Sequence, residues 1–176
     1  MPLLVALCAD PSRARLYIPV ATNATVEGCT TCEIKASGYS ARYVFGFGLG
    51  LGVASSKLAI SGDPDIADYS LDTGPMMDIG YTFGSDFTFT LGYGVGSSAS
   101  SDQKDSDYSD YKVEGKSSSN SFLGLGYNIG TIEILLGMRS VNATLNQSYT
   151  SEYFGPVSYV AKYIWDSTDL GIGFTF

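Results

Sequence analysis

Residues 169–176, DLGIGFTF, decide the fold. Leu170, Ile172, Phe174 and Phe176 alternate with Gly171, Gly173 and Thr175, giving one large apolar face and one small face. A period of two is that of a strand. A helix would scatter the glycines around its axis, at roughly 1 kcal/mol each relative to alanine. Stability in water alone gives no reason to end such a strand on an aromatic ring.

The same period runs back through the chain. In residues 41–56, ARYVFGFGLGLGVASS, the large residues Tyr43, Phe45, Phe47, Leu49, Leu51 and Val53 are separated mostly by glycine, with Val44 the exception. Tyr69, Leu71, Met77, Ile79, Tyr81 and Phe83 alternate with Ser70, Asp72, Gly74, Asp78, Gly80 and Thr82. Residues 86–97 and 121–128 repeat the pattern, and in 131–142 the apolar set moves to even numbers: Ile132, Ile134, Leu136 and Met138. Each segment has one greasy face and one polar or small face.

Composition narrows the function classes. The chain has 176 residues, 18 Asp plus Glu, 10 Lys plus Arg and no His, for a formal charge of −8. That leaves no basic surface to neutralise phosphates, so nucleic acid is not an expected partner. Without His the usual general base, the Ser-His and Cys-His pairs and the commonest zinc ligand are all missing. Only 16% of residues are charged, against roughly 25% in ordinary soluble domains. The longest stretch without charged or hydrogen-bonding side chains is 44–54, well short of the roughly 20 residues of a spanning helix.

The connections alternate in length. Residues 83–86 (FGSD) and 128–131 (NIGT) read as tight hairpin turns, whereas 61–68, 99–118 and 146–156 read as long polar loops. Short turns at one end and long loops at the other are the layout of an outer-membrane barrel. A soluble β-sandwich also alternates, but its outer face is rich in Lys, Glu and Thr. Here the second face is small enough to line a narrow barrel. A soluble secreted lipocalin-like ligand-binding barrel would put the large residues inside and remains an alternative.

With Leu170, Ile172, Phe174 and the terminal Phe176, residues 41–176 resemble the small bacterial outer-membrane barrels of the OmpA/OmpX-like, porin-like family. In that family a C-terminal Phe preceded by alternate hydrophobics is the signal read by the barrel-assembly machinery. The resemblance implies an all-β, antiparallel up-and-down transmembrane barrel in the bacterial outer membrane, surrounded by lipid and lipopolysaccharide. Enzymatic relatives of this architecture (lipid A deacylases and palmitoyltransferases, phospholipases and omptin-type proteases) rely on a histidine that this chain lacks. The expected role is therefore non-enzymatic, with no cofactor and no metal.

Counting back from Phe176 gives spanning strands near 157–176, 131–146, 118–128, 86–98, 68–82 and 41–60. Bacterial barrels have even strand numbers from eight upward, so residues 14–38 should supply two more, with Pro19 and the cysteines the irregular features there. A bulge is expected near 165–168, where the apolar phase moves from Tyr159, Tyr163 and Trp165 to Leu170 and Ile172. Pro75 calls for a kink or bulge, because a closed barrel has no edge on which to hide a missing donor.

The small face carries the candidate site: Arg42, Asp72, Asp78, Glu133 and Arg139, with Asp86, Asp169 and Lys162 beside them. An eight-stranded barrel is filled by side chains, and buried charges persist when paired. An internal ion-pair network is the expected arrangement, and a narrow cation path or a proton-binding carboxylate cluster the sharper one. The loop stretch DSDYSD (105–110) has Asp110 where an EF-hand needs Gly and Lys116 where it needs Glu, which argues against calcium. Cys29 and Cys32 suit a small disulfide in an exported chain, and no second ligand pair exists for zinc. Residues 1–13 read as a signal-peptide remnant that would remove Cys8, leaving 14–176 as one barrel domain.

The expected function is a structural or surface-interaction role, adhesion-like, through loops 61–68, 99–118 and 146–156. The alternative is a narrow passive channel or transporter for small or hydrophobic molecules. Unboiled protein should migrate differently from boiled protein in detergent gels, and deleting Phe176 should impair assembly. Identical migration together with a soluble partition would sink the membrane reading.

Overall fold

The computed structural model describes residues 11–24, 32–62, 68–103, 111–151, 153 and 155–176. Among them are ten strands: β1 (Arg13–Ala24), β2 (Glu33–Val44), β3 (Leu49–Ser61), β4 (Tyr69–Asp72), β5 (Met76–Phe83), β6 (Phe87–Gly96), β7 (Ser100–Ser101), β8 (Lys112–Ile129), β9 (Ile132–Ser151) and β10 (Gly155–Thr175). Every pairing is antiparallel. Eight strands close into a ring in the order β1, β2, β3, β5, β6, β8, β9, β10 and back to β1. The short β4 and β7 extend the wall above β5, with β4 pairing both β3 and β7.

Closure can be followed residue by residue. Arg13 pairs with Val44, then Gly50, Gly80, Gly92, Phe122, Arg139 and Ser167 in turn, and Ser167 pairs with Thr22 of β1. The path returns nine residues further along the strand it left, so the strands are tilted, as closure of a barrel requires.

The stretch 41–60 is a hairpin rather than one strand. Residues 45–48 form a turn closed by Gly48 N–H donating to Phe45 O and Phe45 N–H donating to Leu49 O, with Gly48 at φ 93°. Four turn residues leave the odd-outward phase of β2 and β3 unchanged, so alternation alone hides the corner. The chain breaks between β4 and β5 at residues 73–75, where Pro75 called for it, and Gly74 has φ 59°. The break also resets the phase: Tyr69 and Leu71 face inward, whereas Met77 and Ile79 face outward. Pairing of β9 with β10 is continuous from Gly155↔Ser151 to Phe174↔Ile132, so the bulge expected near 165–168 is absent. Trp165 points inward because its half of the strand has an apolar interior. The long loop expected at 146–156 is largely strand, since β9 runs to Ser151 and β10 starts at Gly155.

Both faces of the wall change polarity partway up. On β9, Ile132, Ile134, Leu136 and Met138 face out over inward Glu133, Gly137 and Arg139. Beyond that point Asn142, Thr144 and Asn146 face out, while Val141, Ala143 and Leu145 face in with under 3% exposure. The outward apolar residues form a belt spanning roughly 7–9 residues of each strand, or about 20 Å after allowing for tilt. That height suits the outer-membrane hydrocarbon layer, which is thinner than average. Tyr43, Tyr81, Phe83, Phe87, Tyr127 and Phe176 gather at the short-turn end, several in ring contact.

Arginine in place of Leu125, which lies outward within the belt, should cost about 2–4 kcal/mol of folding free energy in lipid vesicles. The same change at Asn142, outward above the belt, should cost under about 1 kcal/mol. Urea titration of vesicle-folded protein reads the difference, and equal costs would misplace the belt.

Candidate functional site

The lumen is divided into a charged section at the short-turn end and an apolar section at the other. Arg15 from β1 anchors the first. Its Nε and Nη2 donate to Glu133 Oε2 and Oε1 at 2.7 and 2.6 Å, both side chains being fully buried. The remaining Arg15 donors reach the hydroxyls of Thr82, Thr90 and Thr88, and Thr88 also donates to Glu133 Oε1. A planar fork meeting a carboxylate with two parallel bonds is the strongest form of such a pair.

A second layer lies above it. Arg42 Nη2 donates to Asp78 Oδ2 at 3.1 Å, and Arg139 Nη1 donates to Asn120 Oδ1 at 2.7 Å and to Asp78 Oδ2 at 3.3 Å. Asn120 Nδ2 donates to Asp78 Oδ1. Asp169 pairs with Arg139 Nε at 3.5 Å and accepts from Ser167. The Arg42 guanidinium sits 3.5 Å from the Phe122 ring centroid and 5.8 Å from that of Tyr17, a cation between two π faces. Room for these rings comes from glycine. A Cβ on Gly92 would collide with Phe122, and one on Gly171 would collide with Tyr17. Side chains from β1, β2 and β8 thus meet across the lumen.

The apolar section begins at Trp165, whose Nε1 donates to Ser56 Oγ on β3 at 3.1 Å. Leu58, Leu71, Met76, Val141 and Leu145 pack with it. Gln147 lies further along β9, donating to Gln103 and to the Tyr163 hydroxyl. Burial, with Tyr163 alongside, pushes the phenol of Tyr69 up to about 12.

One stretch of wall is incompletely paired. β1 and β2 share five residue pairs, from Arg13↔Val44 to Tyr17↔Ser40. Above them β1 pairs only with β10 and β2 only with β3. Pro19 lacks an N–H, the ladder to β10 shifts register between Pro19 and Ala21, and Gly38 has φ 142°. The described link across this seam is Ala36 N–H donating to Thr22 Oγ1 at 2.8 Å. Ala24, Ile34 and Ala36 are partly buried against the apolar section there.

Of the residues singled out in the sequence, Arg42, Asp78, Glu133, Arg139 and Asp169 come together inside. Asp72 does not: it faces outward on β4, ahead of the phase reset, and accepts from Gly74 N–H. Asp86 lies exposed at the β5–β6 turn and Lys162 on the outer face of β10. Leu170, Ile172, Phe174 and Phe176 are all outward. Arg13 and Arg15 were missed, although Arg13, Arg15 and Tyr17 alternate with Ala14, Leu16 and Ile18, the same signal used elsewhere. The stretch 105–110 and Cys29 lie outside the described residues, and Cys32 is disulfide-bonded. No group of His, Cys, Asp and Glu able to hold a metal occurs among the described residues.

Several solved structures share the fold. The outer membrane protein OprG of Pseudomonas aeruginosa aligns over 96% of this chain and 97% of its own, at TM-score 0.54 and 14% identity. The outer membrane protein AlkL in lipid bilayers aligns over 95% and 90%, at 0.57 and 12%. Outer Membrane Protein W of E. coli aligns over 96% and 98%, at 0.53 and 14%. The fold is that of small bacterial outer-membrane β-barrels, and the likeness does not single out the OmpA/OmpX group. No protein-family model and no curated protein matches the chain.

Replacing Arg15 with Met strands a buried Glu133 and should destabilise the folded barrel by about 3–5 kcal/mol. Adding Glu133→Leu should recover most of that loss. Denaturation in detergent micelles checks both, and a double variant as unstable as the single would show that the pair is not the coupled unit.

Proposed function

We propose that the chain is an integral barrel of the bacterial outer membrane that passes small hydrophobic molecules from the exterior into the bilayer. The observation that carries this reading is the inversion of polarity along the lumen, apolar where the outer wall is polar and charged where the outer wall is apolar. An apolar solute can partition among Leu58, Leu71, Val141 and Leu145, because transfer from water into such surroundings is favourable by roughly 25 cal/mol per Å² buried. Going further along the axis would take it through the Arg15, Glu133, Arg42 and Asp78 layers, whose charges depend on one another for compensation. The seam between β1 and β2 offers the other way out. It begins at Pro19, with Ile18 and Val20 facing outward beside it in the belt. A wall position without ladder hydrogen bonds parts at lower cost than a paired one.

An adhesion-like role has less in its favour, since the 146–156 segment expected as a ligand-contacting loop is mostly paired strand. Phe176 keeps its reading as an assembly signal, and lipopolysaccharide its reading as the surrounding lipid.

A disulfide staple tests the route. Cysteines at Thr22 and Ala36, already linked across the seam, should block uptake of a medium-chain alkane by expressing cells when oxidised and restore it when reduced. Leu145→Arg should abolish uptake in either state. Uptake unaffected by both changes would overturn the proposal.

A further inference from the structure

The buried charges of the lumen do not balance. Among the described residues four guanidiniums, those of Arg13, Arg15, Arg42 and Arg139, face three carboxylates, those of Asp78, Glu133 and Asp169. The excess cation is Arg13, which is 2% exposed and reaches across the short-turn mouth from β1 to the β5–β6 turn. Among the described residues its one hydrogen bond is a long one, Nη2 to Gly84 O at 3.4 Å, and its Nε has no acceptor. Glu133 forms no ion pair with it, its carboxylate being engaged instead by Arg15 and Thr88. A buried guanidinium without a counter-charge is strongly unfavourable. Water could fill its hydrogen bonds but not compensate its charge.

We infer that the short-turn mouth of the barrel is a binding site for a small oxyanion of the phosphate class, held by the Arg13 guanidinium. The planar fork of arginine suits such a group. Phosphate from solution and the phosphate of a lipid headgroup at the inner leaflet present the same chemistry to this site. The inference is independent of the transport reading, since it concerns the opposite end of the lumen.

Thermal unfolding in lipid-free zwitterionic detergent tests it, with inorganic phosphate titrated at constant ionic strength. The melting temperature of the unchanged protein should rise saturably by several degrees. Arg13→Gln should show no such rise, and in the absence of phosphate should melt at or above the unchanged protein because a lone buried charge is gone. Arg13→Lys should keep part of the response. A parallel series adds short-chain phosphatidylglycerol without inorganic phosphate. A rise confined to that series assigns the lipid headgroup, and a rise with inorganic phosphate assigns the free anion. No rise in either series, or an equal rise in Arg13→Gln, overturns the inference.

Discussion

Inside a lipid layer no water is available to satisfy an open strand edge, and the ladder must therefore close on itself. Here closure falls on the pairing of β10 with β1, and the rest of the interior follows from it. Eight tilted strands enclose a space just wide enough for side chains. The wall must fill that space from within, and glycines opposite Tyr17 and Phe122 are what let three large side chains cross it. The glycines at these positions and the side chains that cross the lumen are thus two results of one constraint.

Much of this could be read from the sequence, for a physical reason. Where lipid lies outside and a narrow lumen inside, each strand must alternate, and the terminal DLGIGFTF does so without exception. Pro75 announced a break because proline has no donor to offer the ladder. The misreadings have physical causes as well. A turn of four residues preserves phase, so the corner at residues 45–48 was invisible to alternation. Trp165 shows where the rule that apolar residues face lipid stops: above the belt the apolar side of the wall is the inside. Asp72 fell with it: reading one phase across the break at residues 73–75 turned an outward carboxylate into an interior one. The Arg15 and Glu133 pair was half seen, because Arg15 lies beside the stretch read as leader.

The two sections of the lumen do different work. The charged one is tightly bonded, each carboxylate holding a guanidinium and Arg15, Arg42 and Arg139 holding hydroxyls, amides or rings besides. The apolar one is held by non-directional contacts that a solute of like polarity can replace. The proposed passage for hydrophobic solutes would rest on this combination, a compliant apolar section set on a tightly bonded charged one.

The chain contains a single tryptophan, and it sits where these two sections meet. Its indole is almost wholly buried and bonded to Ser56 on a different strand. The chain's tyrosines can pass excitation energy to it. Tryptophan emission from this protein is therefore the signal of one place, the threshold between dry and charged interior, and its colour reads the wetness of that threshold without any label.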